Sequence, residues 1–172
     1  RTVWGRLCGL LGEVTPQALL AQPQTALQAL GLSARKVDYM RGIARQVVDG
    51  ELDLPGMAAL EDAEVCRRLA ALRGIGVWTA EMLLLFSLQR SDILSYDDLA
   101  IRRGLRMLYR HKEMPRERFE RYRRRFSPYG SLASLYLWAI AGGALPELDD
   151  PAERKKGRSR PAASLKSTVT KD

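Results

Sequence analysis

Apolar residues recur at helical spacing along most of the chain, and the alternating pattern of a β-strand is nearly absent. The clearest example runs from residue 34 to about residue 49, where apolar positions fall three or four residues apart and basic residues fill the gaps. Its apolar positions are Val37, Met40, Ile43, Ala44 and Val47. The pattern predicts an all-α protein.

Helix-start signals divide this pattern into segments. Serine, threonine and aspartate favour the position before a helix, and proline favours its first turn. We therefore expect a helix after Thr15-Pro16 and another after Ser33 that ends before Gly50. By the same signals Pro115 begins a helix over residues 116–126, and Ser131 caps a last helix over about 132–141.

Two apolar segments, residues 64–72 and 77–88, flank the turn Gly74-Ile75-Gly76. Such a turn is the ordinary connection between two packed helices. It also lets the backbone approach a ligand closely, and it leaves free N–H groups at the start of the second helix, where an anion is favoured. The full pattern Leu-x-x-Leu-x-Gly-Ile-Gly-x-x-Thr-Ala favours a phosphate site. The segment 77–88 is apolar nearly all round, which predicts that it lies in the interior.

An acidic pair, Asp97-Asp98, precedes the next predicted helix. Aspartate at this place commonly caps the helix, and a carboxylate there is also available for chemistry. The sequence of the pair alone leaves both roles open. The helix is predicted to bury one apolar side, formed by Leu99, Ile101, Leu105 and Leu108.

Together, the hairpin at 69–80, the acidic pair and Tyr136-Leu137-Trp138 resemble the helix-hairpin-helix DNA glycosylases, and among them the DNA-3-methyladenine glycosylase II type. The resemblance covers residue 1 to about residue 143. It implies an all-α glycosylase domain and assigns Asp98 as the catalytic carboxylate, with Asp97 supporting the turn. A carboxylate is needed because breaking an N-glycosidic bond places positive charge on the sugar.

The same resemblance assigns the remaining site residues. Trp78, Trp138 and Tyr96 are expected to stack on a flipped base, although core packing is the ordinary role of such aromatic residues. Family members that also cleave the strand carry a lysine nucleophile where this chain has Trp78, so a monofunctional enzyme is expected. Met82 and Leu99 stand where some members have tyrosine, which leaves the base preference open. The residues expected to contact DNA are Arg73, Gly74, Ile75, Gly76 and Thr79.

Composition fits a nucleic-acid partner. The chain has 28 Lys and Arg against 20 Asp and Glu, a net charge of +8, and most of the excess lies before residue 144. We expect a monomer that binds double-stranded DNA containing damaged bases, with no membrane span, located in the cytoplasm at the bacterial nucleoid or in a eukaryotic nucleus. No metal or organic cofactor is expected, because the implied chemistry needs none. The family branch with an iron–sulfur cluster is excluded, since two distant cysteines cannot hold the cluster. The resemblance suggests a monovalent cation between the hairpin carbonyls and a phosphate.

The sequence predicts two regions and leaves other functions open. Residues 1–143 form the glycosylase domain, apparently truncated at its N-terminus because the chain opens without Met and lacks an upstream helix that family members carry. Residues 144–172 are polar and basic, which predicts a disordered tail. The alternatives are a noncatalytic helix-hairpin-helix DNA-binding module and an α-helical scaffold without a nucleic-acid role.

Overall fold

The computed structural model describes residues 2–153, which contain nine α-helices, one short 3-10 helix at Gly56–Ala59 and no β-strand. The predicted all-α class is confirmed. No helix in this described range is long and apolar enough to cross a membrane. The helices are α1 (Val3–Leu11), α2 (Pro16–Ala21), α3 (Gln24–Ala29), α4 (Ala34–Val48), α5 (Asp62–Ala70), α6 (Val77–Phe86), α7 (Leu99–Tyr109), α8 (Arg116–Phe126) and α9 (Gly130–Ala141).

Two of the predicted helix caps are present. The Thr15 hydroxyl accepts a hydrogen bond from the backbone N–H of Ala18 at 3.1 Å, and the Ser33 hydroxyl accepts one from Lys36 at 3.3 Å. The predicted last helix is present as α9, but the Ser131 cap is wrong, because this helix begins at Gly130 and has no side-chain cap. The Ser131 hydroxyl instead accepts from Ile93 N–H and donates to the Arg90 carbonyl, which ties α9 to the loop before α7.

The helices pack around three apolar clusters. The hairpin cluster is centred on Val65, Leu69, Ala80 and Leu84. It links the other two clusters, because Ile43 and Val47 of α4 pack against it and so does Trp138 of α9. Trp138 also contacts the third cluster, so α9 joins the hairpin to α7 and α8. The buried centres are Leu7, Leu19, Leu27, Val37 and Ala44 in the first cluster, Val65, Leu69, Ala80 and Leu84 in the hairpin cluster, and Ile101, Leu105, Phe119 and Leu137 in the third.

The crossing of α7 and α9 depends on Gly104. A Cβ at this position would lie 2.4 Å from the Leu137 carbonyl oxygen, so the two helix backbones meet where only glycine fits. This close contact fixes the direction of α7. Asp98, which precedes α7, is therefore held in a defined place relative to α9.

The predicted buried side of α7 is partly wrong. Ile101 and Leu105 are fully buried, but Leu99 is 74% exposed and Leu108 is 38% exposed. Residues two positions apart on a helix are about 200° apart around its axis, so Leu99 and Ile101 cannot share a face. The buried side is completed by Gly104 and Met107.

The ordered chain continues beyond the predicted boundary at residue 143. Residues 144–153 return along α7, where the buried Asp150 accepts a hydrogen bond from Arg106 Nε at 3.1 Å and also pairs with Arg103. This paired carboxylate holds the segment in place, so the tail prediction is wrong for residues 144–153. Residues 154–172 lie outside the described residues, so a disordered tail there stays a prediction.

Candidate active site

The hairpin turn between α5 and α6 uses its two glycines differently. Gly74 has a φ of +94°, and a Cβ there would lie 2.2 Å from the Tyr39 ring, so any larger residue is excluded. Gly76 has a φ of −92° and nothing within 4 Å of where its Cβ would be. It precedes α6 without a side-chain cap, so within residues 2–153 no side chain occupies the N-terminal N–H groups of α6 as a cap. That arrangement suits an anion.

The other predicted DNA-contacting residues lie around this turn. Arg73 is exposed and pairs with Asp38 at 3.1 Å, while its guanidinium lies 5.3 Å from the centre of the Tyr39 ring. Ile75 packs against the hairpin cluster, and the half-buried Thr79 lies in the first turn of α6. The contacts of Asp38 and Tyr39 of α4 with the hairpin were not predicted, because neither residue belongs to the hairpin sequence pattern.

Asp98 caps α7 and also has a second hydrogen-bond partner. Its Oδ1 accepts the backbone N–H of Ile101 at 2.9 Å, which makes it the N-cap of α7. Its Oδ2 accepts the indole N–H of Trp78, also at 2.9 Å. The residue is buried, whereas the neighbouring Asp97 is exposed. Since the N-terminus of a helix favours negative charge, Asp98 is a fixed anion supported from two directions.

An apolar wall extends from this carboxylate along α6. Trp78, Met82 and Phe86 are spaced four residues apart and therefore share a stripe of the helix. Trp78 is 46% exposed and Phe86 is 59% exposed, so the prediction that this segment is interior on every side is wrong. The Trp138 ring stacks on Phe86, with centroids 5.7 Å apart. Phe86 was missed because its helix shows no amphipathic pattern in the sequence.

Tyr96 lies in different surroundings from Trp78. Its ring packs edge-on against Phe119, and the guanidinium groups of Arg102 and Arg116 lie 4.9 and 5.0 Å from its centre. It lines a cavity of about 420 Å³ whose lining includes neither Trp78 nor Asp98. Glu81 also lines this cavity, and burial raises the pKa of its carboxyl. The structure therefore joins Trp78 to Asp98 by a hydrogen bond, places Trp138 against Phe86 two turns further along α6, and places Tyr96 in a separate cavity.

A model of the HhH-GPD superfamily of base excision DNA repair proteins matches residues 1–128 of this chain. The chain belongs to that superfamily. The match contains the hairpin, its bracing helix α4, the acidic pair and all of α8. The family assignment therefore rests on the same elements that build the candidate site, except for Trp138.

Individual relatives are similar over most of the chain. DNA-3-methyladenine glycosylase 1 of Schizosaccharomyces pombe is 35% identical over 83% of this chain, and DNA-3-methyladenine glycosylase 2 of Escherichia coli is 30% identical over 74% of it. The alignments span only 62% and 43% of those two proteins. This HhH-GPD chain thus corresponds to part of the length of the relatives it matches.

Solved structures show the same architecture. The DNA-3-methyladenine glycosidase of Bacillus halodurans superposes with a TM-score of 0.75 at 36% identity, covering 85% of this chain and 69% of that one. The 3-methyladenine DNA glycosylase of Schizosaccharomyces pombe, solved in complex with abasic DNA, superposes with a TM-score of 0.72 at 33% identity, covering 80% and 69%. The HhH-GPD fold of this chain is therefore shown by both sequence and structure.

Proposed function

We propose that this protein is a monofunctional DNA glycosylase of the 3-methyladenine II type, which hydrolyses the bond between an alkylated purine and deoxyribose in base excision repair. The observation that carries the proposal is the placement of Asp98. Its carboxylate is held by the Ile101 N–H and the Trp78 indole, at the start of a half-exposed apolar wall. The relatives named 3-methyladenine glycosylases support the substrate class.

In the proposed reaction, the bond from the sugar C1′ to the base nitrogen breaks and its electron pair leaves with the base. The Asp98 carboxylate stabilises the positive charge that develops on the sugar and orients a water, whose oxygen then bonds to C1′. The water proton passes to Asp98 or solvent. The products are a free base and an abasic site. This chemistry uses water and a carboxylate, with no metal or organic cofactor.

The apolar wall accounts for the substrate class in this proposal. An alkylated purine is cationic or electron-poor, so an aromatic face attracts it. Trp138 stacks on Phe86, about 12 Å along α6 from Trp78, whereas Trp78 itself provides such a face beside Asp98. A base flipped from the duplex would stack there, which is how enzymes of this kind reach a base inside a helix. Tyr96 would contribute only if its own arginine contacts opened.

The hairpin supplies the proposed grip on double-stranded DNA. A backbone phosphate would bind the N–H groups at the start of α6, beside Gly76, and carbonyl groups of the hairpin would hold a monovalent cation that offsets part of the phosphate charge. Arg73 would add a contact after leaving Asp38. The net charge of +8 favours this association at long range. We propose that the protein acts as a monomer on nucleoid or nuclear DNA.

The proposal is tested by incubating the protein with a methylated duplex and measuring released bases by chromatography, followed by strand analysis with and without alkali. The expected result is release of alkylpurine, with strand cleavage only after alkali. Cleavage without alkali would show lyase activity and refute the monofunctional assignment. Salt-sensitive binding without release would identify the noncatalytic DNA-binding module instead.

A further inference from the structure

The outward side of α8 carries an arginine face that is separate from the candidate active site. Its members are Arg118, Arg121 and Arg125. They are spaced by three and four residues and therefore lie on one side of the helix. On the other side Arg116 and Arg123 both pair with Glu120, at 3.7 and 2.8 Å. The arginine face has no ion pair within residues 2–153, whereas the opposite side of α8 has one carboxylate shared by two arginines.

The arginine face lines an open cavity of about 340 Å³ together with His111 and Tyr122. Two of its guanidinium groups are already oriented. Arg118 donates to the Glu113 carbonyl at 2.9 Å, and Arg125 lies 6.0 Å from the centre of the Tyr109 ring. A ligand would therefore meet cations whose side-chain freedom is already restricted, which lowers the entropy lost on binding.

The pKa of His111 responds to the arginine charges in this cavity. His111 Nε2 lies 2.7 Å from the Tyr122 hydroxyl, which fixes the ring at the cavity wall. Burial lowers the pKa of His111, and the nearby Arg118 and Arg121 lower it further. The two guanidinium groups thus lie close enough to the imidazole to disfavour its protonated form.

We propose that this cavity is a second anion site, which binds a phosphate group at the far end of α7 from Asp98. Converging guanidinium groups match the several acceptor oxygens of a phosphate better than the two of a carboxylate. The eleven residues of α7 separate the sites by about 16 Å along the helix. The phosphate can come from a nucleic-acid backbone or from a small phosphate ester, and the two sources share this chemistry.

The test uses His111, because it is the single histidine of the chain and its imidazole proton signals need no further assignment. The full protein is titrated at fixed pH and ionic strength with inorganic phosphate, adenosine monophosphate or a short undamaged duplex. A saturable shift of the His111 signals is expected. Saturation by the small phosphates alone identifies a small ligand, whereas saturation by the duplex, reversed by inorganic phosphate, identifies a nucleic-acid backbone.

Matched variants separate a built site from general positive charge. Arg121→Gln is expected to weaken binding about tenfold, because one charge-assisted hydrogen bond is lost. Arg124→Gln removes the same charge from an exposed position of α8 outside the cavity lining, and it should leave the affinity nearly unchanged. The proposal is overturned if none of the three probes gives a saturable shift, or if the two variants weaken binding equally.

Discussion

At the scale of single residues, the decisive feature is the hydrogen bond from Trp78 to Asp98. The sequence suggested that Trp78 stacks on a base, but the structure also gives it a polar task, since its indole N–H holds Oδ2 of the carboxylate. The second oxygen is held by the helix it caps. A carboxylate fixed at both oxygens needs little rearrangement when charge develops beside it, which is the condition for electrostatic catalysis.

Replacing Trp78 with phenylalanine tests this polar task. The variant keeps an aromatic ring but loses the N–H donor, so the carboxylate loses one of its two supports. We expect kcat for base release to fall about thirtyfold, equivalent to about 2 kcal/mol, with little change in KM. Steady-state kinetics on a methylated duplex measure both constants.

Trp138→Phe is the matched control, because Trp138 stacks on Phe86 and has no hydrogen bond to Asp98. Its kcat should fall much less than that of Trp78→Phe. A larger loss in the Trp138 variant, or an unchanged kcat in the Trp78 variant, would mean that Trp78 acts only through its aromatic face.

At the scale of elements, the two glycines of the hairpin differ in role: Gly74 is required by the fold, whereas Gly76 leaves room for a ligand. Gly74 fits because its φ is positive and the Tyr39 ring fills the space where a side chain would lie. Gly76 has a negative φ and open space where a Cβ would lie, so the fold does not require glycine there. Its lack of a side chain instead leaves room for a ligand at the start of α6. The two positions therefore predict opposite phenotypes.

Gly74→Ala is expected to destabilise the protein by about 2 kcal/mol or more, because both the backbone and the Tyr39 ring must shift. Gly76→Val should cost less than about 1 kcal/mol in folding but weaken DNA binding, because the side chain blocks the phosphate. Chemical unfolding and binding titrations at several salt concentrations measure these effects. Equal loss of DNA affinity in stably folded samples of both variants would contradict the division of roles.

The sequence predicted those elements whose signals are local. Caps at Thr15 and Ser33 were correct because a cap depends on residues three positions apart. The errors at Leu99 and Ser131 have different origins. Leu99 lies about 200° from Ile101 around the axis of α7, so helix geometry alone excludes it from the buried face. Ser131 bonds to a loop about forty residues earlier in the chain, and this contact is not encoded near Ser131.

The candidate site also combines residues that the sequence indicates with contacts that it does not. Asp98 and Trp78 were predicted as site residues through the family resemblance. Their mutual hydrogen bond was not predicted, since it depends on how α6 and α7 pack. Tyr96 was predicted in the pocket because it is close in sequence to Asp98. Its ring is engaged by Arg102 and Arg116 instead, and proximity along the chain did not indicate this.

At the scale of the whole molecule, the returning segment 144–153 ties the end of the described chain to α7. Asp150 is buried and paired with Arg106 and Arg103, although its neighbours in sequence are polar and suggested disorder. The guanidinium of Arg106 lowers the pKa of Asp150. This buried ion pair stabilises the helix that carries the candidate catalytic carboxylate.

A pH dependence of stability follows from this pair. Because the folded state lowers the pKa of Asp150 below its usual value near 3.8, the stabilisation is complete above that value and is lost as the pH falls through the lowered pKa. Asp150→Asn should therefore reduce the free energy of unfolding by about 2 kcal/mol at neutral pH. Urea unfolding at several pH values should show the gap between variant and wild type closing in acid. A gap that is constant across pH would contradict this origin.

Asp98, and not its neighbour Asp97, is the carboxylate that we propose as catalytic. The most direct measurement compares single-turnover release of alkylpurine by Asp98→Asn and Asp97→Asn under saturating protein. Asparagine at residue 98 can still accept the Ile101 N–H, so the fold and DNA binding should persist while release slows at least about 100-fold. The exposed Asp97→Asn should remain within about threefold of wild type. Undiminished release by Asp98→Asn, or an equal loss in both variants, would contradict the account.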